Sequence, residues 1–189
     1  NEEKLDLESD PYIKLYNEYF GGGMNAIVFQ EMREARGLAY SASGRLLEPE
    51  YKDDSYKYFA FIATQNDKMQ TAIEAFDEII NDMPESETAF NIAKEALAAR
   101  CRTERITGRN ILSSYRTARE MGITEPRSKK VYESLPALTL EDVKNTQEKW
   151  VKDRTYCYGI LGDIKNLDTE YLKTLGTVEI LTLEDIFGY

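Results

Sequence analysis

Three glycines, Gly21 to Gly23, run into an apolar helical pattern within the stretch YFGGGMNAIVFQEMREARGLAY, residues 19–40. Backbone N–H groups at a glycine-led helix N-terminus can hold a phosphate. The details here do not fit that chemistry. G-x-x-x-x-G-K-[ST] is absent, and G-x-G-x-x-G fails because Ala26 stands three residues after Gly23. A helical pattern, not a strand, precedes the glycines. A turn between two helices accounts for them. By the same local reading, Gly37 is a helix stop, and Arg33 and Arg36 are cations in a last helical turn, where they suit the helix dipole. Tyr40 then opens an amphipathic strand.

The chain of 189 residues contains no histidine. That excludes His-based zinc sites, Ser-His-Asp triads and Cys-His pairs. Two cysteines, Cys101 and Cys157, cannot complete a four-ligand metal site, and neither lies in a C-x-x-C. Cys101 extends an apolar stripe with Phe90, Ala93 and Leu97, which makes it a packing residue. A disulfide between the two cysteines stays open at this point. With 34 acidic and 24 basic residues the net charge is −10, a surface that repels nucleic acid. The densest basic run, Arg100, Arg102, Arg105 and Arg109, is interrupted by Glu104 and reads as a solvated helix face. No apolar run reaches the roughly 18 residues that span a bilayer.

The elements follow from periodicity. Asp10-Pro11 is a helix start, with Asp10 as the capping side chain, and a helix is expected over 11–19. A second begins near Met24, with Met24, Val28, Met32 and Ala35 on one stripe. Period two then places Tyr40, Ala42, Gly44 and Leu46 on one strand face. After a loop at 48–55, residues 56–63 read as a central strand, apolar on both faces. Met69, Ala72, Ile73, Phe76, Ile79, Ile80 and Met83 mark a helix, and Pro84 follows its end. Ser86 caps another helix running to about residue 106, and one more is expected over 110–121. Thr139 opens a capping-box-like start, with Leu140, Val143, Gln147, Trp150 and Val151 on one face. TYCYGIL (155–161) and GTVEIL (176–181) read as short strands. LTLED occurs at 138–142 and 181–185, which two helix caps explain. The order predicts an α+β fold, a mostly antiparallel sheet with helices on one face.

Taken whole, LYNEYFGGGMNAIVFQEMREARGLAYSAS (15–43) closely resembles a segment of the pitrilysin/insulinase (inverzincin) zinc-peptidase family. The triple glycine, Arg33-Glu34 and the GLAY ending at Tyr40 match in register. LPALTLEDVKNTQEKWVKDRTYCYGILGDI is similar, more loosely, to the ending of such domains. The resemblance implies a mitochondrial-processing-peptidase-like metallohydrolase domain, of the kind that ends the C-terminal half of a two-half enzyme. Little chain precedes Pro11, so the family's first strand could be missing, leaving an open sheet edge. Residues 1–189 then form one domain of a larger polypeptide.

The resemblance further implies that zinc, held through H-x-x-E-H, belongs to the N-terminal half of the parent and that this chain binds no metal. Its partners would be that N-terminal half and a peptide substrate. Family C-terminal halves supply an arginine and a tyrosine seven residues apart to the substrate, and Arg33 and Tyr40 have that spacing. Arg36, four residues from Tyr40, does not. Attack on a peptide carbonyl builds negative charge on its oxygen, which a guanidinium and a phenol can stabilise. This chain would contain no catalytic residue and be inactive alone. Two other readings stay open: an assembly domain of a catalytically dead family member, and an acidic protein-interaction module.

Overall fold

The first helix, α1 (Asp10–Gly21), carries Pro11 in its first turn, where its missing N–H would have had no helical partner. The computed structural model describes residues 4–49, 51 and 53–189, so residues 50 and 52 of the expected 48–55 loop lie outside the described residues. Ile13, Leu15, Tyr16, Tyr19 and Phe20 of α1 are buried. Asp10 is not the cap that was expected. It is the first helical residue, it is buried, and its carboxylate accepts from Arg127. A charge so enclosed needs a cation rather than helix N–H groups to offset its desolvation.

α2 (Ile27–Phe29) begins three residues later than the Met24 expected from the stripe. Met24 is exposed in the preceding turn, and Gln30 Nε2 donates to its carbonyl at 2.6 Å. The helix then widens into a π-helical turn, Gln30–Ala35. Of the stripe, Val28 and Met32 are buried, whereas Ala35 is exposed.

β1 (Ser41–Leu47) pairs antiparallel with β2 (Lys57–Ala63), from Ser41 opposite Ala63 to Leu47 opposite Lys57. Ala42, Gly44 and Leu46 point into the core as the alternation predicts. Tyr40 does not join them; it precedes the strand and is exposed. β2 is not apolar-buried on both faces either, since Phe59 and Phe61 face solvent. Among the described residues the sheet has these two strands. Residues 155–161 and 176–181 form no strand. Their β-forming side chains find no neighbouring ladder, and in 155–161 tyrosine contacts take over: Tyr156 Oη donates to the Val151 carbonyl and Tyr158 Oη to Asp77 at 2.9 Å.

The remaining helices are α3 (Met69–Asn81), α4 (Glu87–Thr103), α5 (Ile111–Glu120), α6 (Arg127–Ser134), α7 (Leu140–Trp150), α8 (Thr169–Leu175) and α9 (Leu183–Phe187). The predicted stripe of α3 is buried from Met69 to Ile80, whereas Met83 lies beyond the end of the helix and is half-buried. Ser86 caps α4, accepting from the Ala89 N–H at 3.2 Å. α4 stops at Thr103, so Arg105 and Arg109 lie beyond the helix rather than on one solvated helix face. Both LTLED phrases are capping boxes, Thr139 with Asp142 and Thr182 with Asp185.

α1 organises the core. Tyr16 Oη donates to Gln147 Oε1 at 2.5 Å, and Gln147 Nε2 donates to the Ile80 carbonyl, which ties α1, α7 and α3 together. Tyr19 Oη donates to the Pro84 carbonyl at 2.8 Å and accepts from the Ser86 N–H at 3.0 Å. The Asn17 carboxamide donates to the Leu46 carbonyl at 2.9 Å and accepts from the Leu46 N–H at 2.8 Å. It stands where a third strand would otherwise meet β1. The helices therefore lie on one side of an antiparallel pair, an α+β arrangement.

Candidate functional site

Packing explains two of the three glycines, Gly21 and Gly22. A Cβ on Gly21 would fall 2.0 Å from the Gly44 carbonyl oxygen, and one on Gly22 2.7 Å from the Cα of Glu18. Gly21 thus lets the end of α1 touch the backbone of β1, and no phosphate cradle is needed to account for it. Gly37 has φ of +58° and closes the π-helical turn.

That closure aims the next residues. The N–H groups of Leu38 and Ala39 both donate to the Met32 carbonyl, at 2.9 and 3.2 Å. Thr64 Oγ1 donates to the Leu38 carbonyl at 2.6 Å, and the Tyr40 N–H donates to the Ala63 carbonyl at 2.8 Å. Tyr40 is fixed by its backbone while its side chain stays 83% exposed. Arg33 projects from the π-helical turn. Its Cζ lies 4.9 Å from the Phe29 ring centroid and 5.9 Å from that of Tyr40. Both rings are within the range at which a guanidinium is attracted to an aromatic face. Its one ion-pair contact among the described residues is loose, 3.7 Å to Glu34.

Arg36 is placed differently. Its Nη1 sits 2.7 Å from Glu78 Oε2, with Glu31 at 3.7 Å. The Glu78 hydrogen bond raises the Arg36 pKa, and Arg36 in turn lowers that of Glu78. Arg36 clamps the π-helical turn to α3, whereas the Arg33 side chain is about half exposed against two rings. Phe29, which seats Arg33, and Glu78, which occupies Arg36, were not marked by any sequence pattern. Neither was the ion network of Arg127, Asp10, Glu48 and Lys14, whose members come from distant segments.

Histidine is absent, and among the described residues no group of three His, Cys, Asp or Glu side chains could hold a metal ion. Cys101 and Cys157 are free thiols. Cys101 packs against the core, and burial raises its pKa.

A family model described as the peptidase M16 inactive domain matches residues 3–97. The chain belongs to that family. Its match covers the α1–α2 segment, both strands and most of α4. Among solved structures, the M16 domain described here is similar to the crystal structure of a peptidase M16 inactive domain from Pseudomonas fluorescens, with a TM-score of 0.58 and 18% identity. The alignment covers 75% of this chain and 34% of that one, so this M16 domain spans about a third of its length. At such identity the likeness is one of fold. A search of curated proteins found no match. Among the described residues, no helix of this M16 domain is long and apolar enough to cross a membrane.

Proposed function

We propose that this chain is the substrate-contacting, chamber-forming C-terminal-half domain of a zinc-dependent M16 endopeptidase, inactive by itself. Its partners are the N-terminal half of the parent, which holds the zinc, and a peptide substrate. The observation that carries the reading is the convergence of Arg33 and Tyr40 at 5.9 Å, both exposed, while Arg36 is occupied by Glu78. A guanidinium and a phenol so placed can donate to successive carbonyls of an extended peptide, and to the oxygen on which charge builds during attack. The π-helical turn beneath Arg33 is a device common at functional sites.

The test is kinetic and uses the longer parent polypeptide. Arg33→Ala is expected to lower kcat/KM on a fluorogenic peptide with little loss of Tm, because an exposed helix-end arginine contributes only about 0.3–1 kcal/mol to its helix. Unchanged turnover beside a lowered Tm would return Arg33 to a purely structural role. The isolated chain is expected to hydrolyse no peptide and to carry no stoichiometric zinc on metal analysis; one tightly bound zinc per chain would overturn the assignment of the metal to the other half.

A further inference from the structure

We propose that the outer edge of β2 receives, as an antiparallel strand, the residues that precede Asn1 in a longer polypeptide, in a register already set at Lys4. Lys4 forms an isolated antiparallel bridge with Ser55, just ahead of β2. The chain around Lys4 is held in place. Leu5 packs against the core. Tyr56 Oη donates to the Asp6 carbonyl and accepts from the Asp6 N–H, both at 3.2 Å. Lys4 Nζ lies 3.4 Å from Asp53.

An antiparallel bridge fixes a direction. Traced backwards from Lys4, the chain heads the way β2 runs forwards, from Ser55 towards Ala63. One edge of β2 is filled by β1 from Lys57 to Ala63. The other edge carries no strand among the described residues. Residues 155–161 do not take it: the Tyr156 ring lies 5.8 Å from that of Tyr58, yet the segment joins no sheet. A row of unpaired N–H and C=O groups is a template for a further strand. The chain leading into Lys4 is the segment that the bridge delivers to it.

The bridge also sets the register. One residue back from Lys4 answers one residue forward from Ser55. The residue immediately before Asn1 then faces Phe59, the third before it faces Phe61, and the fifth faces Ala63. Side chains directly opposite each other share a face of the sheet. Phe59 and Phe61 are exposed, whereas Tyr58 and Ile62 pack against the core. The second and fourth residues before Asn1 therefore lie on the helix side, where apolar side chains are expected. A slip of one residue would reverse these faces. All of this rests on the chain being part of a longer polypeptide, as proposed above, and not on peptidase chemistry.

Disulfide cross-linking in the longer polypeptide tests the pairing. Phe61→Cys, with Cys101→Ala and Cys157→Ser, is combined with a cysteine at the second, third or fourth position before Asn1. Under mild oxidation the third position is expected to cross-link at least about tenfold faster than its neighbours, whose side chains leave from the opposite face. Amide exchange of the unsubstituted protein gives a second measure that needs no variant. Amides of residues 57–63 are expected to exchange at least about tenfold more slowly in the longer polypeptide than in residues 1–189 alone, with α3 as the internal reference. Equal cross-linking at the three positions, cross-linking at none, or unchanged exchange in β2 overturns the proposal. A disulfide between two Phe61→Cys copies, in place of the intramolecular one, also overturns it and gives the edge to a second copy. The turnover of Arg33→Ala bears only on the peptidase reading, so either reading can fail while the other stands.

Discussion

Arg33 and Arg36 look equivalent in sequence, two arginines in one last helical turn, yet they meet opposite surroundings. Arg36 finds Glu78 on a helix 42 residues away. Arg33 finds two aromatic rings and open solvent. The difference separates their expected mutant effects. Arg36→Ala removes a largely exposed ion pair and should cost at most about 1 kcal/mol, read as a small fall in Tm. Tyr40→Phe removes only a hydroxyl from an exposed ring and should leave Tm unchanged. If the proposed peptidase role holds, in the longer enzyme it should lower kcat by no more than the about 10²–10³ that loss of one oxyanion donor costs. Equal kinetics for Tyr40→Phe and wild type would remove the phenol from the proposed contact. The spacing of Arg33 and Tyr40 was legible from the family resemblance. The ring of Phe29 under Arg33 was not, because an apolar residue in an amphipathic helix carries no mark of what it will face.

Elements whose stabilisation is local were the readable ones. The α3 stripe, the Ser86 cap and both LTLED capping boxes depend on residues three or four apart, and each stands where periodicity placed it. The segment 155–161 failed for the complementary reason. Tyrosine and isoleucine favour strands only when a neighbour supplies the ladder, and here the tyrosine hydroxyls bond to Val151 and Asp77 instead. The contact between α1 and β1 lies between these cases. Three glycines announce a turn, but not that Gly21 must touch the Gly44 backbone. Gly21→Ala should therefore be strongly destabilising, since its Cβ would meet backbone rather than a movable side chain. Gly23→Ala, with nothing within 4 Å of its Cβ, should be nearly silent. Thermal melting of the pair checks this, and equal Tm values would show that α1 can shift away from β1.

Across the whole molecule, one ion network joins the start of α1, the end of β1 and α6. Arg127 bonds the buried Asp10 carboxylate and lies 2.7 Å from Glu48, which also takes Lys14 at 2.9 Å. Asp10 and Arg127 are 117 residues apart, so no sequence window contains both. Arg127→Ala would strand Asp10 and should cost about 3–5 kcal/mol. Arg127→Met with Asp10→Asn, which removes both charges, should cost less. Burial alone would raise the Glu48 pKa, but Lys14 and Arg127 outweigh it and hold it below the usual value. Its contribution to stability is fully present above about pH 5. It begins to fall as pH drops past the unfolded value of about 4.3 and is gone below the folded one. Glu48→Gln should thus flatten the acid limb of a Tm-against-pH profile, and an unchanged limb would place the acid sensitivity elsewhere. The Asn17 carboxamide has a further consequence at this scale. By satisfying both main-chain groups of Leu46 it seals one border of the sheet with a helix that could be displaced only by opening the core. β2 has no such seal among the described residues. The two-stranded sheet is therefore directional: an incoming strand, from the parent polypeptide or from a misfolded neighbour, can extend it on the β2 side alone, and a charged or proline substitution meant to suppress aggregation belongs on that strand and not on β1.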